Sequence, residues 1–269
     1  MAEHAPGRDF RDKYSRYVWF KILFIILFAV LAFSVFWVSL CVGTRELDVA
    51  TVFDYFIKHI QGVTYEPRSQ QAFDDSIVWN YRVPRALFGI VSGAGLAVAG
   101  AIMQSVMKNP LADPYTTGVS SGALFGVAIA VTLGFSFGGA GLSGIGTVTN
   151  AILMALVPVA VILFFSPFFR KSPSTLILAG VAVSYLFNAL TSILLVSSSE
   201  ENLGTVYRWQ VGSFTDLSWG SLPLMTAAVV IGIAVILPLS NKLNLMSLDD
   251  KDAKSLGLNS ERLRIVCLV

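Results

Sequence analysis

The chain has 269 residues, 55% of them hydrophobic and 13% charged, with a mean hydropathy of +0.70. A soluble domain rarely combines such values, and a formal net charge of +2 argues for neither nucleic acid nor an acidic ligand as a partner. What they leave is a protein of the lipid bilayer, with nearly all its charges falling between apolar runs.

The first apolar run, 22–43, follows Arg8, Arg11, Lys13 and Arg16. It is longer than the roughly 7–15 residues of a cleaved signal, no A-x-A-like site follows it, and Leu40 precedes Cys41 where a lipoprotein site needs a small residue. It therefore reads as a retained span. A long, net-acidic loop, 44–81, comes next, and its portion 47–60 (LDVATVFDYFIKHI) alternates apolar and polar residues at helical spacing, as suits a helix lying along a membrane surface.

Arg82-Val83-Pro84-Arg85 then opens an uncharged run, 86–107. The polar turn Lys108-Asn109-Pro110-Leu111-Ala112-Asp113-Pro114 joins it to a Gly/Ser-rich run, 115–133. An uncharged, glycine-rich stretch, 134–146, precedes runs at 148–169, 176–196 and 221–239. Each of the six is long enough to cross a bilayer, which needs about 20 residues. A seventh begins at Leu263 and reaches Val269 as a half-span, which predicts a C-terminally incomplete chain, since half a span leaves backbone groups unpaired in lipid. The expected fold is an all-α polytopic membrane protein with six complete transmembrane helices and the start of a seventh. No internal repeat stands out.

Orientation follows from the basic residues. With the N-terminus cytoplasmic, 13 of the 19 Lys and Arg fall inside, on the N-terminal tail and beside Lys108, Arg170, Lys171, Lys242 and Arg262, and 6 outside. The inner segment 241–264 (NKLNLMSLDDKDAKSLGLNSERLR) predicts a short amphipathic helix. Ser247 is placed to cap its start, with Asp250 three residues on, the acidic Asp249, Asp250 and Asp252 crowd the first turn, and Gly257 ends it. Leu245, Leu248 and Leu256 would form one apolar edge. Such a helix suits a cytoplasmic partner, although a solvated linker helix has the same periodicity.

Small residues recur every fourth position in the second run (Gly89, Gly93, Ala97, Ala101) and the third (Gly118, Gly122, Gly126), which predicts close helix packing in lipid. The fifth run carries a polar stripe, Gly180, Ser184, Asn188 and Ser192, with Thr191 beside it. Facing lipid these side chains would be costly, so the stripe turns to another helix or to an aqueous path, and Gln104 poses the same choice. No Asp, Glu, Lys or His lies within a span to serve a proton relay, which disfavours an ion-coupled carrier. His4 and His59 lie outside the spans, and Cys41 and Cys267 lie in apolar runs at opposite ends of the chain as packed thiols, so no metal site, cofactor or catalytic group is expected. The sequence has no G-x-x-x-x-G-K-[ST], so it holds no P-loop of its own, and any transport must draw its energy from a partner. Arg82 and Arg85 stand outside, against the positive-inside trend. They suit either snorkelling anchors or, stiffened by Pro84, a receptor for carboxylates on a soluble partner.

At this point the residues carry a resemblance. RVPRALFGIVSGAGLAVAGAIMQSVMKNPLADPYTTGVSSGA strongly resembles the signature of FecCD-type permease subunits of iron-chelate (siderophore or haem) and cobalamin ABC importers. LILAGVAVSYLFNALTSILL resembles that family's fifth span, Trp209 through Gly212, Ser213 and Trp219 fits its WxxGS…W pattern, and LNLMSLDDKDAKSLGLNSERLR is similar to its coupling region. The resemblance implies about ten spans in a full-length member, hence one permease domain over 1–269 with an outer loop at 44–81 and a coupling region at 241–262. It implies a second copy or close paralogue forming the pore, cytoplasmic ATPase subunits, an extracytoplasmic substrate-binding protein and a prokaryotic plasma membrane. Arg82 and Arg85 would dock the binding protein. Ser172, Ser174 and Thr175 would form the cytoplasmic gate, and Ser184, Asn188 and Ser192 would line the path. Leu248, Asp249, Asp250, Ala253, Leu256 and Gly257 would couple to the ATPase, although Asp249 and Asp250 stand where the family usually has Gly-Glu. Gly93, Gln104, Asn109, Pro110, Asp113, Pro114, Gly118 and Gly122 belong to the structural motif. The cargo implied is a metal chelate, a ferric siderophore first. A membrane receptor or scaffold that binds a signalling partner through the inner helix is the alternative from another class.

Overall fold

The computed structural model describes residues 6–137, 144–165, 173–215, 217–248 and 250–268, and no strand occurs among them. In chain order the helices are α1 (Pro6–Cys41), α2 (Val49–Ile60), α3 (Gln70–Ser76), α4 (Val83–Met107), α5 (Val119–Leu133) and α6 (Gly144–Phe165). They continue with α7 (Pro173–Val196), α8 (Glu200–Val211), α9 (Leu222–Ile236), α10 (Ser240–Met246), α11 (Asp250–Ser255) and α12 (Ser260–Leu268). A π-helical turn, Ile77–Arg82, joins α3 to α4, and a 3-10 turn, Pro114–Thr117, precedes α5.

Among the described residues, five helical segments are long and apolar enough to cross a membrane: Asp12–Cys41, Gln70–Met107, Gly146–Phe164, Ile177–Val196 and Leu222–Met246. The third predicted span differs from expectation. Run 115–133 does not form one helix, because Asp113 accepts the Thr116 amide at 2.9 Å, Pro114 opens a 3-10 turn, and Gly118 takes a left-handed φ of 81° before α5 begins. The 15 residues of α5 rise only about 22 Å, short of the ~30 Å hydrocarbon core.

Contacts cluster into two units, Met1–Val91 with Leu217–Leu224, and Ser92–Asp216 with Met225–Val269. The first is organised by the 44–81 loop, which is largely folded. Asp48 caps α2 by accepting the Thr51 amide, and Ser69 caps α3 by accepting the Ala72 amide at 3.1 Å. Val52 and Tyr55 of α2 are buried with Leu40, Val78 and Val83, while Val49, Phe53 and Ile60 stay exposed. The predicted amphipathic helix is therefore real, but its inner face is covered by this chain's own residues. Trp37 packs on Phe53 and Phe56, and Trp79 lies between His59, stacked at 4.3 Å, and Trp219 at 5.2 Å. The Trp219 indole donates to the Trp79 carbonyl at 2.8 Å.

The second unit is built on the close approach of α5, α6 and α7. A Cβ added at Gly122 would sit 2.5 Å from the Met154 carbonyl oxygen, and one at Gly126 would lie closer still to that of Asn150. Gly180 of α7 meets the Thr116 backbone as tightly. Pro158 inside α6 fills the hollow over Gly118 and Gly122. Buried Asn150 donates its amide to the Phe135 carbonyl and accepts the Phe137 amide, each at 2.8 Å, so the chain leaving α5 is tied to α6. The α4 ridge, for which the same close packing is expected, behaves otherwise among the described residues: a Cβ at Gly89 or Gly93 would meet nothing within 4 Å.

These contacts set a contrast in tolerance. Gly126→Ala drives a methyl into backbone, which cannot retreat as a side chain can, and should destabilise by about 1–3 kcal/mol. Gly93→Ala should be neutral within about 0.5 kcal/mol. Thermal unfolding in detergent measures both, and equal shifts would contradict the packing described.

Candidate functional site

Arg82 closes the π-helical turn and is 8% exposed. Its guanidinium donates to the carbonyls of Leu40 at 2.6 Å and Cys41 at 3.1 Å, and also to that of Arg45. The first two are among the last carbonyls of α1, which have no partner within the helix and carry its partial negative charge. Gly43 makes room, since a Cβ there would lie 2.9 Å from Arg82 Nη2. Arg45 in turn pairs with buried Asp74 at 2.6 Å. Of the two arginines expected to dock a partner, Arg82 thus has its guanidinium engaged inside the chain. Arg85, one turn on, is half-buried with Cζ 5.9 Å from the ring centroid of exposed Tyr81.

At the other end of α4, Lys108 takes a left-handed φ of 49°. Its amide donates to the Ser105 carbonyl and that of Asn109 to the Gln104 carbonyl, the bond pair of a Schellman helix end. Holding a non-glycine residue in that conformation costs on the order of 1 kcal/mol. Asn109 Oδ1 accepts the Leu111 amide at 2.9 Å, so Asn109 and Asp113 are both engaged in building the turn. Pro110 and Gln104 are exposed. The Lys108 ammonium donates to the Leu248 carbonyl at 2.6 Å.

Leu248 lies between α10 and α11. Ser247 ends α10, its hydroxyl donating to the Asn244 carbonyl at 2.6 Å, so the expectation that it caps the next helix is overturned. Asp249 lies outside the described residues, and α11 starts at Asp250. Gly257 ends α11 as predicted: its φ is 81°, its amide donates to the Lys254 carbonyl, and the Leu258 amide donates to the Ala253 carbonyl. The buried edge of this segment is Leu243, Met246, Ala253, Leu258 and Leu263, packed on Ile102 and Val106 of α4. The predicted edge of Leu245, Leu248 and Leu256 is not the inward one, since Leu248 and Leu256 are exposed and only Leu245 touches the cluster.

Along α7 the polar stripe divides. Ser184 is half-buried, donating to the Gly180 carbonyl at 2.9 Å, and Thr191 is buried, donating to the Phe187 carbonyl at 2.8 Å. Asn188 and Ser192 are exposed beside Tyr185, and the Ser192 hydroxyl donates to the Asn188 carbonyl. Ser and Thr can meet their needs within a helix in this way, and an exposed Asn amide is harder to accommodate against lipid. Ser172 lies outside the described residues, and Ser174 and Thr175 belong to the first turn of α7.

The sequence model of the FecCD transport family matches residues 25–269. The chain belongs to this family. A protein of Methanocaldococcus jannaschii assigned as an ABC transporter permease is 34% identical over 96% of the chain and 73% of its own length. The molybdate import system permease protein of Haemophilus influenzae is 33% identical over 94% of the chain and 70% of its own. A solved inward-facing structure, of a protein assigned to the metal-chelate type of ABC transporter, superposes with a TM-score of 0.74 at 33% identity, covering 92% of this chain and 71% of that one. This FecCD chain is therefore a multi-pass permease of the cytoplasmic membrane, its relatives are transport proteins rather than enzymes, and the receptor or scaffold alternative is left without support.

Three features escaped the sequence. Arg82's partners lie about forty residues upstream, Asn150 is one uncharged residue in an apolar run, and the Lys108–Leu248 bond spans 140 residues. A helix-ending Lys before Asn-Pro was the one local hint of the last. The Arg82 geometry predicts that Arg82→Ala, which strands buried carbonyls, lowers stability by roughly 2–4 kcal/mol. Arg85→Ala changes it far less, and thermal unfolding of the two variants in parallel separates them.

Proposed function

We propose that this chain forms half of the translocation pore of a binding-protein-dependent importer that carries a metal chelate, a ferric siderophore in the first instance. The family match over residues 25–269 carries the proposal. The likeness to a structure of the metal-chelate type supports the cargo class. The whole of 1–269 acts as one permease domain, its N-terminus cytoplasmic, in keeping with 13 of 19 basic residues on that side. The exposed Asn188 and Ser192 face of α7 turns to the pore, opposite a second copy or a close paralogue, which spares those side chains from lipid. Ser172, Ser174 and Thr175 serve the cytoplasmic gate.

Arg85 meets an acidic residue of the substrate-binding protein on the outer face, beside the folded 44–81 loop, while Arg82 holds the turn from which Arg85 projects. On the cytoplasmic side, the region 241–262 receives the ATPase subunits, with exposed Leu248 and Leu256 offering apolar contact and Asp249 and Asp250 offering charge. ATP binding and hydrolysis there alternate the access of the pore.

The relative from Haemophilus influenzae favours an oxyanion as the second cargo. Proteoliposomes holding the complex, its binding protein and MgATP, offered ferric hydroxamate, haemin, cobalamin and molybdate in turn, decide between them. ATP-dependent uptake of a ferric chelate is the expected result, and uptake of molybdate alone would replace it. In the same system Arg85→Glu should weaken docking of the binding protein about tenfold, or 1.4 kcal/mol, and leave the ATPase bound. Unchanged docking would sink the assignment of Arg85.

A further inference from the structure

Lys108 combines two features that neither the turn nor the apolar packing around it requires. Among the described residues only Arg68 and Lys108 are non-glycines with a left-handed backbone. Lys108 occupies the helix-ending position where glycine is favoured because it has no Cβ to crowd the following carbonyl. A strained residue persists where its side chain is engaged, and here the ammonium reaches the Leu248 carbonyl at 2.6 Å. The surrounding contact of Ile102 and Val106 with Met246, Ala253 and Leu258 is apolar and non-directional. It holds α10 and α11 near the end of α4 without fixing their register. A charged donor on a backbone carbonyl is directional and does fix it.

We propose that Lys108 is a positioning residue that locks the turn between α10 and α11 onto the end of α4, so that a displacement of α11 is delivered to α4 as one rigid movement. The coupling half of this statement rests on the proposed function, in which 241–262 meets the ATPase. The locking half does not. In this proposal Lys108 acts by position, through its bond to the Leu248 carbonyl.

Glycine at this position relaxes the backbone while removing the ammonium, so Lys108→Gly separates the lock from the turn. The permease in lipid nanodiscs, assembled with its ATPase subunits, is compared as wild type, Lys108→Gly and Lys108→Arg by amide hydrogen exchange and thermal unfolding. In Lys108→Gly the unfolding temperature should equal or exceed that of the wild type, while exchange across 247–258 quickens about tenfold. Adding MgATP with vanadate should change exchange at 99–113 by about threefold in the wild type and leave it unmoved in Lys108→Gly, with Lys108→Arg restoring both behaviours. Unaltered exchange at 247–258 in Lys108→Gly would overturn the lock. A loss of unfolding temperature in Lys108→Gly with faster exchange throughout would overturn it in favour of a purely structural role. A nucleotide response that survives in Lys108→Gly would overturn the coupling. A wild-type chain that recruits no ATPase would overturn the permease proposal and the coupling with it, while the exchange at 247–258 still reports on the lock.

Discussion

Hydrocarbon cannot solvate the amides and carbonyls left over at a helix end, and a chain that lives in it must satisfy them from within. That constraint shapes each functional region described above. The last carbonyls of α1 are met by the Arg82 guanidinium, and the end of α4 is closed by a left-handed Lys108. The approach to α5 is built by Asp113 and Gly118, and α11 is closed by Gly257. Each device needs a polar, flexible or conformationally special residue at a boundary between apolar and aqueous surroundings. Binding proteins and ATPases also meet a permease at such boundaries, so capping residues and recognition residues are drawn from the same few positions.

Arg82 and Arg85 show how the two roles part. They are three residues apart beside one proline, and chemically they are the same. Burial distinguishes them: the Arg82 guanidinium is 8% exposed and serves three carbonyls, and pulling it out would strand the end of α1. The π-helical turn just before α4 is what sends one inward and leaves the other half-exposed.

Much of this was legible in the sequence wherever the signal is local. Gly257 after a short amphipathic stretch marked a helix end, and the Gly118–Gly122–Gly126 spacing marked a close contact, because glycine has few other uses in such places. The polar stripe of α7 was legible as side chains at helical period, and only the structure divides it into half-buried Ser184 and exposed Asn188 and Ser192. What the sequence concealed depends on partners far along the chain. Gly89 and Gly93 have the same spacing as the α5 glycines, and only the fold reveals that, among the described residues, a Cβ there would meet nothing within 4 Å. Ser247 had the local features of a helix start and became a helix end, since α10 arrived from the other side to claim it. The short α5 was hidden by an apolar run that continued through its stop signals, since Asp113 and Pro114 lie in the polar turn and Gly118 falls in register with the small-residue ridge.

Five tryptophans occur in the chain, and two of them, Trp79 and Trp219, lie 5.2 Å apart with rings inclined by 32° and one indole N–H bonded to the other's backbone. Trp79 belongs to the same π-helical turn as Arg82, and Trp219 comes from a segment 140 residues later. Indoles this close share their excited states, so their ultraviolet dichroism and emission depend steeply on ring separation and tilt. The protein therefore carries an optical gauge of its own, needing no label, for any event that parts the turn before α4 from the segment before α9.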